Sequence, residues 1–126
     1  MFKDTRAFSG FSVDDIPAAK EFYGETLGLA VGEENGMLRL EIAGGIPVLV
    51  YPKADHVPAE FTILNFPVAD ITATARELTA RGVAFERYSD DHDELGVFHG
   101  DGPLIAWFKD PAGNVLSVIQ ESGIQE

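Results

Sequence analysis

The residues best suited to bind a metal ion form an acidic segment in the second half of the chain. Residues 90–94 read Asp-Asp-His-Asp-Glu, and His99 lies shortly after them. Carboxylate and imidazole groups are suitable ligands for divalent metals, so Asp91, His92, Asp93 and His99 are a conceivable metal site. We expect instead a solvated acidic loop, because a flexible loop with adjacent acids is a poorly preorganised cage. Such a loop could also cover a binding site and meet a cationic group of a ligand.

Two further charged residues, Arg39 and Glu41, alternate along the chain with Leu38, Leu40 and Ile42. On a strand, this alternation points the charged and the apolar side chains to opposite faces. If the apolar face packs on a helix, the charged pair enters the binding site, where it could bind a ligand carboxylate. A desolvated Glu41 could act as a general base, and it is the weak candidate for a catalytic residue. The alternative, which we expect, is an ordinary cross-strand ion pair.

The sequence lacks the residues or motifs that several other kinds of catalytic or binding site require. The chain has no cysteine, which excludes disulfides, thiolate metal sites and a cysteine nucleophile. No G-x-S-x-G motif, phosphate-binding loop or dinucleotide-binding motif is present. A serine nucleophile needs a base within reach, and Ser117 has no histidine near it in the sequence.

The chain that carries these residues contains an internal sequence repeat. Residues 13–19, Val-Asp-Asp-Ile-Pro-Ala-Ala, are echoed by residues 68–74, Val-Ala-Asp-Ile-Thr-Ala-Thr, and each copy continues as a helical pattern that ends at a glycine, Gly28 or Gly82. Apolar alternation and turn residues predict strands at 7–13, 29–33, 37–42, 47–51, 61–68, 83–88, 104–109 and 115–120. The repeat therefore predicts an α+β fold of two tandem βαβββ modules, with a binding site where the copies meet. We place the modules at about 5–53 and 60–122 of a single domain, 1–126, with a linker at about 54–59.

Composition predicts a folded, cytoplasmic protein. The chain has 126 residues, 45% of them hydrophobic, and a mean hydropathy of +0.02. It has no apolar run of the roughly 20 residues that a membrane span needs and no secretory signal pattern at its N-terminus. A net charge of −12 makes nucleic acid an unsuitable partner. The same charge can attract cationic ligands, although solubility alone would also explain it.

Two motifs in this frame resemble those of the vicinal oxygen chelate superfamily, which includes glyoxalase I, extradiol dioxygenases and the bleomycin- and fosfomycin-resistance proteins. Asp15-Ile16, Phe22-Tyr23 and Leu27-Gly28-Leu29 resemble its first-helix signature, and residues 107–114, an apolar strand followed by Asp-Pro-Ala-Gly-Asn, resemble its closing motif. Together they are specific to a fold and not to an activity. The resemblance implies the glyoxalase/bleomycin-resistance fold, a curled mixed sheet around a cleft, and a homodimer.

The resemblance also implies where a metal would bind: a His on the first strand, an acid on the fourth, a His or Gln on the fifth and a Glu on the last. Aligned on the helix caps, these positions hold Phe8, Leu49 or Val50, Ile63 and Ser117. Hydrocarbon and hydroxyl side chains are poor ligands for Mg, Mn, Fe or Zn. We therefore expect no metal and no cofactor.

These observations lead us to expect a metal-independent small-molecule-binding protein that holds a cationic or aromatic ligand, similar to the bleomycin-resistance branch. Flat side chains near the cleft would stack on such a ligand, and candidates are Tyr51, Phe61, Tyr88, Phe98 and Trp107. An enzyme of the superfamily, a lyase or a dioxygenase-like protein with unusual or no metal ligands, is the alternative, and a protein-interaction module is a third. The expected cleft residues are Phe8, Arg39, Glu41, Leu49, Val50, Ile63, Trp107 and Ser117.

Overall fold

The computed structural model describes residues 1–120, which form two compact units, the first from Met1 to Pro58 and the second beginning at Ala59. The first unit contains β1 (Gly10–Val13), α1 (Ile16–Glu21), β2 (Ala30–Glu34), β3 (Met37–Glu41) and β4 (Val48–Pro52). The second contains β5 (Thr62–Pro67), α2 (Ile71–Ala80), β6 (Phe85–Glu86), β7 (Leu104–Lys109) and β8 (Val115–Gln120). Residues 121 and 122, at the expected end of the second module, lie outside the described residues.

The two sheets have the same strand order. The first runs β1-β4-β3-β2 and the second β5-β8-β7-β6. In each sheet the first and last strands of the unit pair in parallel, and the remaining neighbours pair antiparallel. The α+β class and the two tandem βαβββ modules that the repeat predicts are confirmed.

Both helices begin at the aspartates of the repeated motif. The Asp15 carboxylate accepts the Ala18 N–H at 3.0 Å, and the Asp70 carboxylate accepts the Ala73 N–H at 3.1 Å. Each cap satisfies a backbone donor that has no partner within the helix. The helices continue differently, because α1 passes into a π-helical turn at Phe22–Thr26, where the Leu27 N–H bonds to the Phe22 carbonyl at 2.9 Å.

Each sheet buries one face and leaves the other uncovered by its own helix. On β3, Leu38 and Leu40 are fully buried while Arg39 and Glu41 are exposed, as the period of two in a strand requires. The buried apolar residues of the two units are Phe11, Val13, Ala19, Tyr23, Leu38, Leu40, Val48 and Val50, and Ile71, Ala75, Leu78, Val97, Ala106, Phe108, Val115, Leu116 and Val118. We call the opposite side of each sheet its open face.

The closing motif builds the turn between β7 and β8. One oxygen of the Asp110 carboxylate accepts the Ala112 and Asn114 N–H groups at 3.0 and 2.8 Å, and the other accepts the Asn114 amide at 3.0 Å. Asn114 in turn accepts the Ala59 N–H at 3.3 Å. Asp110 and Asn114 are buried, so their hydrogen bonds hold the turn where water does not compete.

Two predicted strands are much shorter in the structure: the strand predicted at 7–13 begins only at Gly10, which leaves Phe8 outside it, and the strand predicted at 83–88 keeps two residues. Residues 83–88 were expected to form a strand, but β6 contains only Phe85 and Glu86. The Tyr88 N–H donates to the His92 ring instead of a neighbouring strand, and Phe98 forms an antiparallel bridge with Ile105 of β7, two residues from Trp107. A folded-back segment thus replaces the end of the strand.

Candidate ligand-binding face

An aromatic cluster lies at the edge of the open face of the second sheet. It consists of Tyr88, His92, Phe98 and Trp107. The Trp107 ring centroid is 5.4 Å from that of Tyr88, 5.7 Å from that of Phe98 and 6.0 Å from that of His92. Tyr88 is 59% exposed, so part of this cluster is open to a ligand. Tilted and edge-to-face rings at these distances attract one another and hold a stiff aromatic surface in place.

His92 fixes the loop that carries the cluster. Its Nε2 lies 3.2 Å from the Tyr88 nitrogen and its Nδ1 lies 2.8 Å from the Gly96 carbonyl oxygen. Because a backbone N–H can only donate, Nε2 must accept, and the ring proton is on Nδ1, which donates to Gly96. Both ring nitrogens are therefore used by the backbone, and His92 is a structural residue here.

Asp93 organises the rest of the acidic segment. One carboxylate oxygen accepts the Leu95 and Val97 N–H groups at 3.0 and 2.9 Å, and the other lies 2.9 Å from His99 Nε2. Partial burial raises the pKa of Asp93, but these hydrogen bonds together outweigh burial and lower the pKa below its ordinary value of 3.8. Arg87 also donates to the Asp93 and Glu94 carbonyl oxygens at 2.7 and 3.1 Å. The segment is thus tied by many hydrogen bonds, unlike the loose loop expected from the sequence.

The conceivable metal site does not assemble in this segment. Asp93 and His99 are in contact, but residues 1–120 contain no group of three or more His, Asp or Glu side chains placed to hold a metal. The His92 nitrogens bond to the backbone, and Asp93 pairs with His99.

A polar pair, Asn65 and Ser117, lies beside Trp107 on the open face of the second sheet. Ser117 is the cross-strand partner of both Asn65 on β5 and Trp107 on β7. The Ser117 hydroxyl donates to Asn65 Oδ1 at 2.6 Å, and Ser117 is fully buried whereas Asn65 is exposed. The sequence pattern indicated Ser117 as a site residue but not Asn65. Asn65 lies two residues after Ile63, so strand alternation could have placed it on the same face.

Ile63 lies at a β-bulge. Thr62 pairs with Val115 and Leu64 pairs with the next residue, Leu116, so Ile63 has no partner in the ladder. A bulge interrupts the alternation of side chains, which is the pattern that placed Ile63 on the binding face. Its side chain is half-buried.

Of the remaining expected site residues, Leu49, Arg39 and Glu41 lie on the open face of the first sheet. Leu49 is half-buried and pairs with Gly10 and Arg39, whereas Val50, the other residue considered for this position, is fully buried in the core. Of the two, only Leu49 thus reaches the open face. Phe8 precedes β1 and is 66% exposed.

Arg39 and Glu41 form an exposed ion pair. Arg39 Nε lies 3.0 Å from Glu41 Oε2, and another guanidinium nitrogen lies 3.8 Å from Glu34 Oε1. The side chains of Arg39 and Glu41 are 54% and 42% exposed. The desolvation that would turn Glu41 into a general base is therefore missing, and the geometry is that of an ordinary surface pair.

A second polar pair lies in the first unit, where Ser12 Oγ is 2.6 Å from His56 Nδ1. Both residues are half-buried. The sequence did not reveal this pair because β1 and the segment after β4 are far apart along the chain.

The residues that the family resemblance puts at the metal positions have no strong donor for a divalent ion. Phe8, Leu49, Val50 and Ile63 have only hydrocarbon side chains, and the Ser117 hydroxyl already donates to Asn65. A neutral hydroxyl of this kind is a weak ligand compared with carboxylate or imidazole. These positions therefore lack the donors that a divalent ion needs.

The repeated βαβββ architecture and the two open faces define a class of two-module proteins, and a family model matches the chain over residues 8–118. The chain belongs to the Glyoxalase/Bleomycin resistance protein/Dioxygenase superfamily. None of the curated proteins compared with the chain matches it. Within residues 1–120, no helix has both the length and the apolar character needed to cross a membrane.

Solved structures of similar fold cover nearly the whole chain. A glyoxalase family protein from Enterococcus faecalis has a TM-score of 0.69 at 22% identity, with 94% of this chain and 99% of that chain covered. A superfamily member from Sphaerobacter thermophilus has the same TM-score and identity, with coverage of 91% and 97%. TnmS3, an antibiotic binding protein from a Streptomyces species, has a TM-score of 0.67 at 25% identity, with coverage of 92% and 96%.

Proposed function

We propose that this protein binds a planar aromatic small molecule, preferably a cationic one, without the help of a metal. The observation that carries the proposal is the aromatic cluster on the open face of the second sheet, in which the Tyr88 and Phe98 rings each lie within 6 Å of the Trp107 ring. Flat rings that are already held in place lose little conformational entropy when a ligand stacks on them. The similarity to an antibiotic binding protein supports the same class of function.

The preference for a cation rests on charge. The sequence from residue 59 onward has 12 acidic and 4 basic residues, against 9 and 5 in residues 1–58. Glu86 lies opposite Trp107 in the sheet, and its side chain is 33% exposed and 3.8 Å from the Lys109 ammonium. Aromatic faces also attract cations directly, and an acidic surround strengthens that attraction.

The test uses the single tryptophan of the chain as a reporter. N-methylacridinium, a planar aromatic cation, should quench Trp107 fluorescence to saturation. Tyr88→Leu keeps the reporter and removes one ring of the cluster, so the Kd should rise by about 3- to 20-fold, the value of one cation–π contact. Phe2→Leu removes an exposed ring outside the cluster and should leave the Kd unchanged. Unsaturable quenching, or equal Kd values for Tyr88→Leu and the parent, would contradict the proposal.

The proposal includes a homodimer, as expected from the family resemblance. A chain of 13.6 kDa should then sediment with twice that mass at micromolar concentration. Sedimentation equilibrium with the full chain measures this directly, and a single species of 13.6 kDa would contradict it.

A metal-free enzyme is the second candidate function, and the Ser12–His56 pair favours it. A hydroxyl 2.6 Å from an imidazole nitrogen has the spacing of a nucleophile and its general base. If Ser12 is such a nucleophile, a fluorophosphonate should form a covalent adduct on Ser12, and His56→Gln should prevent it. Ser9, on the same segment, is the control residue and should stay unmodified. Absence of the adduct on Ser12 would leave the pair with a structural role.

A further inference from the structure

We infer that Asn65 presents a fixed amide donor to the ligand, so that the ligand carries a hydrogen-bond acceptor such as a carbonyl oxygen at the edge of its aromatic plane. This inference rests on the proposed function and adds the chemical class of the ligand. It is carried by the Asn65–Ser117 pair and by the place of that pair next to Trp107.

The Ser117 hydroxyl fixes the orientation of the Asn65 amide. Ser117 is fully buried, and its hydroxyl lies 2.6 Å from Asn65 Oδ1 and makes no other hydrogen bond within residues 1–120. If the amide were turned over, its NH₂ group would face the hydroxyl, and the hydroxyl hydrogen would lack an acceptor. Leaving a buried donor without a partner is costly, so the oxygen of Asn65 faces Ser117.

The amide nitrogen is consequently the part of Asn65 that a ligand can use. Asn65 is exposed, and its NH₂ group makes no hydrogen bond to any part of the chain that the structure describes. Because Ser117 holds the oxygen, the two N–H donors have a fixed direction. A ligand acceptor therefore meets a donor that needs little reorganisation on binding.

The sheet sets the spacing between this donor and the stacking surface. Asn65, Ser117 and Trp107 are successive partners across β5, β8 and β7. Neighbouring strands are about 4.8 Å apart, so the backbones at Asn65 and Trp107 are separated by about 10 Å. That span suits a fused-ring system that stacks on Trp107 and carries an acceptor at its edge. The Trp107 indole N–H also lacks a partner within residues 1–120 and could receive a second acceptor.

The experiment compares two planar molecules of nearly equal shape, 2-acetylnaphthalene and 2-isopropenylnaphthalene, which differ in a carbonyl oxygen. The full chain, labelled with ¹⁵N, is titrated and followed by NMR through the Trp107 indole N–H and the Asn65 side-chain NH₂. We expect both molecules to shift the indole signal. The ketone should bind about 3- to 10-fold more tightly, the usual effect of one neutral hydrogen bond, and should alone shift the Asn65 NH₂ signals downfield.

Asn65→Asp tests the direction of the hydrogen bond with almost no change in shape. The carboxylate can still accept from Ser117, but its outer oxygen is an acceptor and repels the ketone oxygen. The preference for the ketone should therefore vanish or reverse, while the indole shift persists. Asn35→Asp, an exposed asparagine in the turn between β2 and β3, is the matched control and should keep the preference.

The outcomes separate this inference from the proposed function. Equal binding of the two molecules, or a preference that survives Asn65→Asp, would overturn the inference and leave the stacking site in place. Tighter binding of 2-aminonaphthalene than of the ketone would also overturn it, because a donor on the ligand would then be favoured. If neither naphthalene nor N-methylacridinium shifts the indole signal, the proposed function fails and the inference fails with it.

Discussion

The Asp93 carboxylate links the acidic segment to the aromatic cluster. It binds the backbone at Leu95 and Val97 and the ring of His99, and the same segment carries His92, which lies against Trp107. Losing this carboxylate should loosen the loop and the rings that the loop positions. The charge of Asp93 thus acts locally, by holding the loop that carries these rings.

The lowered pKa of Asp93 gives a prediction for the pH dependence of stability. Since its pKa is lower in the folded chain, the ionised form stabilises the fold above a pH of about 4 and loses this effect as the pH falls through the folded pKa. Asp93→Asn should therefore reduce the free energy of unfolding in urea at pH 6, and the gap to the parent should narrow below pH 4. Asp90→Asn, an exposed acid in the same segment, should show no such gap. A gap for Asp93→Asn that is constant from pH 3 to pH 7 would contradict the prediction.

At the residue scale, the sequence predicted the face of the strand on which a side chain lies better than it predicted the residue to which that side chain bonds. Alternation correctly separated Arg39 and Glu41 from the core residues Leu38 and Leu40. It could not reveal that Ser117 bonds to Asn65, or Ser12 to His56, because those contacts depend on which strands become neighbours. The hydrogen bonds of His92 could not be predicted either, because they join its ring to backbone groups of an irregular loop.

At the scale of elements, helix starts were the most predictable feature. The repeated motif puts an aspartate at the start of each helical pattern, and in the structure Asp15 and Asp70 cap the two helices. Strands β7 and β8 match the predicted ranges 104–109 and 115–120 because their apolar residues are bounded by clear turn residues. The π-helical turn at Phe22–Thr26 was not predicted, since its apolar spacing is close to that of an α-helix.

The cap of α1 can be tested by a matched pair of substitutions. Asp15→Ala removes the acceptor for the Ala18 N–H and should lower the free energy of unfolding by about 1 kcal/mol. The preceding residue is also an exposed aspartate, and Asp14→Ala should change stability by less than about 0.5 kcal/mol. Urea unfolding followed by circular dichroism measures both. Equal losses for the two variants would show that general charge, and not capping, is responsible.

At the scale of the whole molecule, the net charge of −12 is unevenly distributed, and most of it belongs to the sequence from residue 59 onward. That part of the chain also holds the aromatic cluster and the Asn65–Ser117 pair. Long-range attraction of a cation would therefore be strongest toward the unit that carries the proposed site.

This distribution predicts that salt slows the binding of a cation and not of a neutral molecule. The association rate of N-methylacridinium, measured by stopped-flow quenching of Trp107, should fall by about 10-fold between low salt and 0.5 M NaCl, because ions screen the acidic field. The rate for neutral 2-acetylnaphthalene should change little. Equal salt dependence for both ligands would mean that charge does not guide the ligand to this site.

The two copies of the module differ most in one connection. In the first copy, β2 and β3 are joined by the short turn Asn35-Gly36, in which both residues have positive φ angles of 56° and 77°. In the second copy, residues 87–103 join β6 to β7 and supply Tyr88, His92 and Phe98. The second copy thus carries an insertion where the first has a tight turn, and this insertion supplies three of the four rings of the aromatic cluster. Exchanging that insertion between relatives would be a route to new ligand preferences that leaves the sheets unchanged.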